Sequence, residues 1–296
     1  MRPEASLVHR RKVLIGSLAL SAGLTTTAAW ADSALERLRA IEASTGGRLG
    51  FWAGQYGGGS VVQWRSSERF LMCSTFKALA VAAALSRVDH GQERLDRWIP
   101  YGQKDLLDYA PVTKANLAKG GMALGDLCAA AIELSDNTAA NLILASLGGP
   151  AGVTLYVRSL GDDITRLDRS EPELNRGEPG ELRDTTTPAS MAGLWRKLLL
   201  QDVLSTASRD RLNAWLEACQ TGGARLKAAT PKGWRIGHKT GSGSTTIGDV
   251  AIMTPPGRPP ILIAVYLNVA GASSNPHDEA IAEAARLALS ILVPNT

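Results

Sequence analysis

The 296-residue chain predicts an α+β fold, an α/β sandwich. In it one antiparallel sheet of about five strands is flanked by N- and C-terminal helices and interrupted by an all-helical insert. Three observations point there. Strand-like stretches lie near the two ends, apolar helical stretches fill the middle, and glycine–proline turn signals separate them. The expected organisation is a leader at 1–31 and a discontinuous α/β domain made of 32–66 with 217–296. An all-α domain at 67–216 carries a loop at about 166–184, and the site lies at the junction.

The leader has a basic start, Arg10, Arg11 and Lys12, then a short apolar run from Val13 to Leu24. The run is shorter than the roughly 20 residues a membrane span needs. Ala29-Trp30-Ala31 fits the small-x-small cleavage pattern, which places the cut between Ala31 and Asp32. Arg10-Arg11 also resembles a twin-arginine export signal. The expectation is a periplasmic or secreted protein with no stable membrane anchor after cleavage.

The elements then follow in order. Ser33 to Ser44 is a helix with Leu35, Leu38 and Ile41 at helical spacing. Arg48 to Tyr56 and Ser60 to Arg65 are strands around Gly57-Gly58-Gly59, a hairpin signal. Phe76 to Ser86 is apolar almost all round and so predicts a buried helix. Leu124 to Leu134 and Asn137 to Leu147 are apolar helices, the second stopping at Gly148-Gly149-Pro150. Thr187-Pro188 opens a helix to about Leu200, and Ser208 to Cys219 is another. Gly233 to Thr240, Asp249 to Met253 and Ile261 to Asn268 return to strands, and Asn275-Pro276 opens a terminal helix.

Composition excludes whole classes of function. At 45% hydrophobic and 20% charged the usage is that of a globular protein, not a disordered or fibrous one. The formal charge of +4 owes much to Arg2, Arg10, Arg11 and Lys12 of the leader, so the rest is close to neutral and offers no basic run for nucleic acid. Cys73, Cys128 and Cys219 form no CxxC. His9, His90, His238 and His277 form no HxH or HExxH, so no metal or cofactor is expected.

Three short motifs carry chemistry. Ser74-Thr75-Phe76-Lys77 places a hydroxyl and an ammonium three apart at a helix start, where they share a face. A serine hydroxyl needs a base beside it, and a lysine can serve when burial lowers its pKa. Backbone N–H groups at a helix start can also hold an oxyanion. Ser135-Asp136-Asn137 lies between two apolar helices and Lys239-Thr240-Gly241 ends a strand. Taken singly, these read as a solvated helix start, a helix cap and a strand entering a turn. Gly241 has a further use, letting a substrate lie against the strand edge.

In this order S-x-x-K, S-D-N and K-T-G are the signature of class A β-lactamases and penicillin-binding proteins, and the sequence resembles a class A serine β-lactamase along essentially its whole mature length. Glu171-Pro172-Glu173-Leu174-Asn175, after Arg169, resembles the active-site loop that separates these enzymes from penicillin-binding proteins. The resemblance implies hydrolysis of a small β-lactam through an ester on Ser74, by a protein that is a monomer and uses no cofactor. Lys77, or Glu171 by way of a water, takes the Ser74 proton. Backbone N–H groups of Ser74 and Ser242 form the oxyanion hole, and Ser135 passes a proton to the ring nitrogen. Glu171 and Asn175 activate and position the deacylating water. Asn137 binds the substrate amide, Lys239, Thr240 and Gly241 border its carboxylate, Arg225 adds a second positive charge there, and Tyr109 stands at the mouth. Arg169 and Asp184 match the pair that closes the loop, and Glu173 is structural.

Departures are equally visible. Two family disulfides pair the Cys73 and Cys128 positions with partners, but here those partner positions are Gly243 and Val81, so neither bridge is expected. His238 stands where the family often has aspartate, and Ser242 to Gly248 is short. The alternatives are a penicillin-binding D,D-peptidase and a β-lactam sensor that stays acylated. The peptidase has no use for Glu171 and Asn175, and the sensor would want a transmembrane helix after cleavage of the leader.

Overall fold

The structure, a computed structural model, describes residues 22–178, 180–269 and 276–294. Most of the leader assigned to 1–31, and Asn275 of the terminal helix signal, lie outside the described residues. Among the described residues ten α-helices run in chain order: α1 (Ala22–Thr45), α2 (Phe76–Asp89), α3 (Pro111–Ala115), α4 (Leu124–Glu133), α5 (Asn137–Ser146), α6 (Pro150–Ser159), α7 (Pro188–Leu200), α8 (Thr206–Glu217), α9 (Leu226–Ala229) and α10 (Pro276–Leu292). The strands are β1 (Arg48–Gln55), β2 (Val61–Trp64), β3 (Phe70–Leu71), β4 (Trp98–Pro100), β5 (Gly121–Ala123), β6 (Thr185–Thr186), β7 (Arg235–Ser242), β8 (Thr246–Thr254) and β9 (Ile261–Asn268).

Five strands form one antiparallel sheet in the order β2-β1-β9-β8-β7, which is the predicted α+β architecture. Short ladders β3–β6 and β4–β5 tie the helical part together. Period-2 alternation divides the sheet between two cores. On β9, Ile261, Ile263, Val265 and Leu267 pack with Leu38 and Ile41 of α1 and Ile281 and Ala285 of α10. Leu262, Ala264 and Tyr266 face the other way, into the core of Phe76, Leu79, Leu127, Ile143, Met191 and Trp195. The strand that ends at the site, β7, is an edge strand, leaving one side open to a ligand.

Several expectations are corrected. The first helix begins at Ala22, not Ser33, and Leu35 is exposed while Ala34 takes its place in the buried stripe. Gly148-Gly149-Pro150 ends one helix and begins the next. Both glycines sit at positive φ, and Pro150 takes the first position of α6, where its missing N–H costs nothing. Helix α8 starts at Thr206 because the Ser205 hydroxyl accepts from Ser208 N, and it ends before Cys219.

Asp136 shows why the S-D-N junction holds its shape. Its Oδ1 accepts from Ala139 N and so caps α5, while its Oδ2 accepts from Val112 N and Thr113 N at the start of α3. One buried carboxylate thus satisfies orphan donors of two helices. Asp136→Ala is expected to cost about 2–4 kcal/mol of unfolding free energy, since caps and buried charged hydrogen bonds each contribute on that scale. Urea unfolding checks this, and an unchanged midpoint would contradict it.

Candidate active site

Ser74 lies in a 3-10 turn, Cys73–Thr75, that leads into α2. Cys73 before it is held at φ 44°, a left-handed conformation that a non-glycine residue adopts only when its surroundings enforce it. Gly241 of β7 presses on this turn. A Cβ there would stand 2.7 Å from Met72 O and 3.2 Å from Ser74 N. The glycine therefore serves strand-to-turn contact. The same contact sets the end of β7, with Ser242, beside the nucleophile turn.

Lys77 points into the interior and is fully buried. Its Nζ donates to Ser135 O at 2.8 Å, Ser135 Oγ at 3.2 Å and Asn137 Oδ1 at 2.6 Å, and pairs with Glu171 Oε1 at 3.0 Å. Burial pushes the ammonium pKa below the ordinary lysine value, against the opposing pull of Glu171. Lys77 makes no hydrogen bond to Ser74, although the i, i+3 spacing suggests one. The turn at Cys73–Thr75 is not part of the α-helix, and the S-D-N segment draws the ammonium away. Ser74 Oγ instead donates to Glu171 Oε1 at 3.3 Å.

Glu171 is clamped from three sides. Asn175 Nδ2 donates to its Oε2 at 2.5 Å and Lys77 holds Oε1. Asn141, one turn beyond Asn137 on α5, grips its backbone: Glu171 N donates to Asn141 Oδ1 and Asn141 Nδ2 donates to Glu171 O, both at 2.9 Å. Sequence reasoning missed Asn141, and the i, i+4 spacing from Asn137 was the available signal. The loop itself is closed by Asp184. It takes Arg169 Nε at 2.5 Å and the backbone N–H groups of Asp168 and Arg169. The β7–β8 hairpin latches on from outside, where Ser244 N donates to Asn175 O at 3.0 Å. Glu173 is exposed and takes no part in this network.

Ser135, at φ 57°, joins the two lysines. Its Oγ accepts from Lys77 Nζ at 3.2 Å and Lys239 Nζ at 3.1 Å, which leaves its own hydrogen available. Lys239 is fully buried, and desolvation lowers its pKa to about 8. Thr240 Oγ1 is 2.6 Å from Thr221 Oγ1, a partner absent from the sequence reading. Asn137 gives its Oδ1 to Lys77, so its Nδ2 can face a ligand. Tyr109 is half exposed, as a residue at the mouth would be, and its carbonyl accepts from Asn137 N.

Arg225 reaches the end of β7 from within the fold. It is buried under the strands, its Nη1 donating to Gly241 O and Gly248 O and its Nε to Asp278 at 2.7 Å. It touches the site through Nη2, which donates to Ser242 Oγ at 2.9 Å. Asp278 sits against this positive charge, and the arginine clamps β7 and β8. The three cysteines are free and buried.

A sequence model of the β-lactamase enzyme family matches residues 33–292. The fold is similar to a point mutant of the class A β-lactamase of the last common ancestor of Gram-negative bacteria. That pair is 51% identical with a TM-score of 0.86, covering 89% of this chain and 100% of the other. The ancestral class A enzyme matches at 52% identity and TM-score 0.83, over 87% of this chain and 99% of its own. A β-lactamase from Burkholderia vietnamiensis matches at 44% identity and TM-score 0.86, over 89% and 98%.

Proposed function

The chain belongs to the class A β-lactamase family, and from that premise we propose that it opens the β-lactam ring through an ester on Ser74 and frees itself with water driven by Glu171. The single observation that carries this reading is the 3.3 Å contact of Ser74 Oγ with Glu171 Oε1. That carboxylate is itself fixed by Asn175 and Lys77. A D,D-peptidase or a sensor has no use for a carboxylate built into that position.

The steps follow from the contacts. Ser74 Oγ attacks the lactam carbonyl carbon as its proton passes to Glu171 Oε1. Lys77, held among four acceptors, keeps the carboxylate in line. Backbone N–H groups of Ser74 and Ser242 receive the developing oxyanion. Ser135, polarised by two ammonium groups, gives its hydroxyl proton to the ring nitrogen as the C–N bond breaks and recovers one from Lys77, and Lys77 in turn takes up the proton that Glu171 received from Ser74 across their 3.0 Å contact, which leaves the carboxylate ionised again. Glu171 then takes a proton from a water that Asn175 helps to hold, and that water attacks the ester. Lys239 and Thr240 hold the substrate carboxylate, Gly241 sets the strand that carries them, and Asn137 Nδ2 meets the side-chain amide. Tyr109 walls the mouth, and Arg225 acts by fixing Ser242. Export to the periplasm, a monomeric state and a role in β-lactam resistance complete the reading.

Mixing the purified protein with a chromogenic cephalosporin tests it: many turnovers per molecule are expected, and a single stoichiometric burst would favour the peptidase or sensor. Two variants extend the test. Asn141→Ala is expected to lower kcat by about 10- to 100-fold, because a carboxylate misplaced by about an ångström costs that much. Parental kcat in that variant would contradict the clamp.

The pH dependence follows from Lys239. A base whose pKa is lowered to about 8 is charged below that pH and neutral above it. KM is therefore expected to rise as pH passes about 8, and Lys239→Arg, charged throughout, is expected to remove the rise. A flat KM in the parent, or the same rise in the arginine variant, would contradict it.

A further inference from the structure

The connection between α8 and α9 bridges the two halves of the site. At one end Gln220 N donates to Glu133 O at 2.9 Å, at the close of α4 and just before Ser135. In its middle Gly222 sits at φ 68°, and a Cβ there would stand 2.3 Å from Thr240 Cγ2. At the other end Arg225 N donates to Gly222 O at 3.0 Å, which folds the connection into a turn. Thr221 is held against β7, and its Oγ1 lies 2.6 Å from Thr240 Oγ1. The hydrolytic steps give this hydroxyl nothing to do.

We propose that Thr221 is a positioning residue for the carboxylate subsite: its hydroxyl donates to Thr240 Oγ1 and so turns the Thr240 hydrogen toward the substrate carboxylate. This role rests on the reading of Thr240 as a residue that holds that carboxylate.

Hydrogen counting fixes the direction. A threonine hydroxyl has one hydrogen to give and two lone pairs to receive. An ionised carboxylate only accepts, so Thr240 must spend its hydrogen on the substrate. The short contact with Thr221 is then donated from the Thr221 side. In the free protein either hydroxyl can be the donor. The contact of Thr221 Oγ1 with Cys219 Sγ is longer, 3.3 Å, and sulfur is the weaker acceptor, so the Thr221 hydrogen goes to Thr240. Ser242, on the same face of β7 as Thr240, is served in the same way. Arg225 Nη2, which can only donate, gives to Ser242 Oγ at 2.9 Å. Both β7 hydroxyls thus receive a hydrogen from this connection and keep their own to give.

The benefit to the site is electrostatic. A hydroxyl that accepts one hydrogen bond is a more polarised donor in the next. A hydrogen already aimed needs no reorganisation when the carboxylate arrives. Because hydrogen bonds to an ionised acceptor are the stronger ones, the effect is larger on a charged carboxylate than on a neutral group of the same shape.

The test compares two versions of one chromogenic cephalosporin, the free carboxylate and its methyl ester. Thr221→Val removes the hydroxyl and keeps the branched shape. It should lower kcat/KM for the carboxylate by about three- to tenfold, the scale of one lost hydrogen bond, and mostly through KM. For the ester the loss should stay within about twofold, because a neutral acceptor gains less from the aimed hydrogen. Thr221→Ala should shift the ratio of the two in the same direction. Thr221→Ser, which keeps the hydroxyl, should restore it. Equal losses on both substrates would show that Thr221 only holds the connection in shape, and would overturn the proposal. So would a valine variant with the parental ratio, or a serine variant that shifts the ratio as valine does. A parent that turns over neither substrate would instead remove the functional reading, and this positioning role with it.

Discussion

Ser74→Ala is expected to lower turnover of a chromogenic cephalosporin by about 10⁴- to 10⁶-fold, the scale on which removal of a covalent nucleophile acts. The loss should fall on kcat, because the groups assigned to the substrate carboxylate, Lys239 and Thr240, remain in place. The substitution removes one hydroxyl at the edge of the buried network and leaves the Lys77–Glu171 pair and the Asn175 contact untouched. Thermal stability should therefore stay close to that of the parent. Steady-state rates beside a thermal melt separate the two effects. Residual activity within about tenfold of the parent would mean that another group attacks the lactam.

Glu171→Gln is expected to lower kcat by about 10³-fold, within the range for loss of a general base. The amide keeps the shape of the side chain and one acceptor for Lys77 but cannot take a proton. The two half-reactions should suffer unequally. Ring strain in the lactam assists attack by Ser74, whereas the ester it forms has no such strain and waits for an activated water. The variant should therefore show a burst of about one product per protein and then a slow rate. Stopped-flow absorbance reads both phases. A linear trace at the parental rate would show that some other group drives the water.

Much of this site could be read from the sequence because its chemistry demands particular residue types at short spacing. A hydroxyl with an ammonium three residues on, a second hydroxyl between apolar helices, and a lysine at a strand end each leave a local mark. So does the Glu171–Asn175 pair, four residues apart in one loop. The sheet was legible for a similar reason: β8 and β9 are mostly apolar runs buried on both faces, and β1 pairs with β9 in one register. Contacts between distant segments left no such mark. The grip of Asn141 on Glu171 spans 30 residues, and the approach of Gly241 to Ser74 N joins the far end of the chain to the turn before α2. Arg225 was legible as a charge but not as a buried one, since its partner Asp278 lies 53 residues away on α10. His238 pairs with Asp249 on the neighbouring strand, and nothing in its own stretch of sequence marks that partner. The second helix at Pro150 was hidden because Gly148-Gly149-Pro150 signals a stop and a start with the same residues.

The proposed mechanism puts the ester on Ser74 and its release on Glu171. Glu171→Gln mixed with a penicillin, followed by intact-protein mass measurement and peptide mapping, tests it most directly. One drug-derived adduct per molecule is expected, mapped to the peptide containing Ser74 and persisting far longer than the parental turnover time. An adduct on any other side chain, or a variant that clears the drug as fast as the parent, would contradict it.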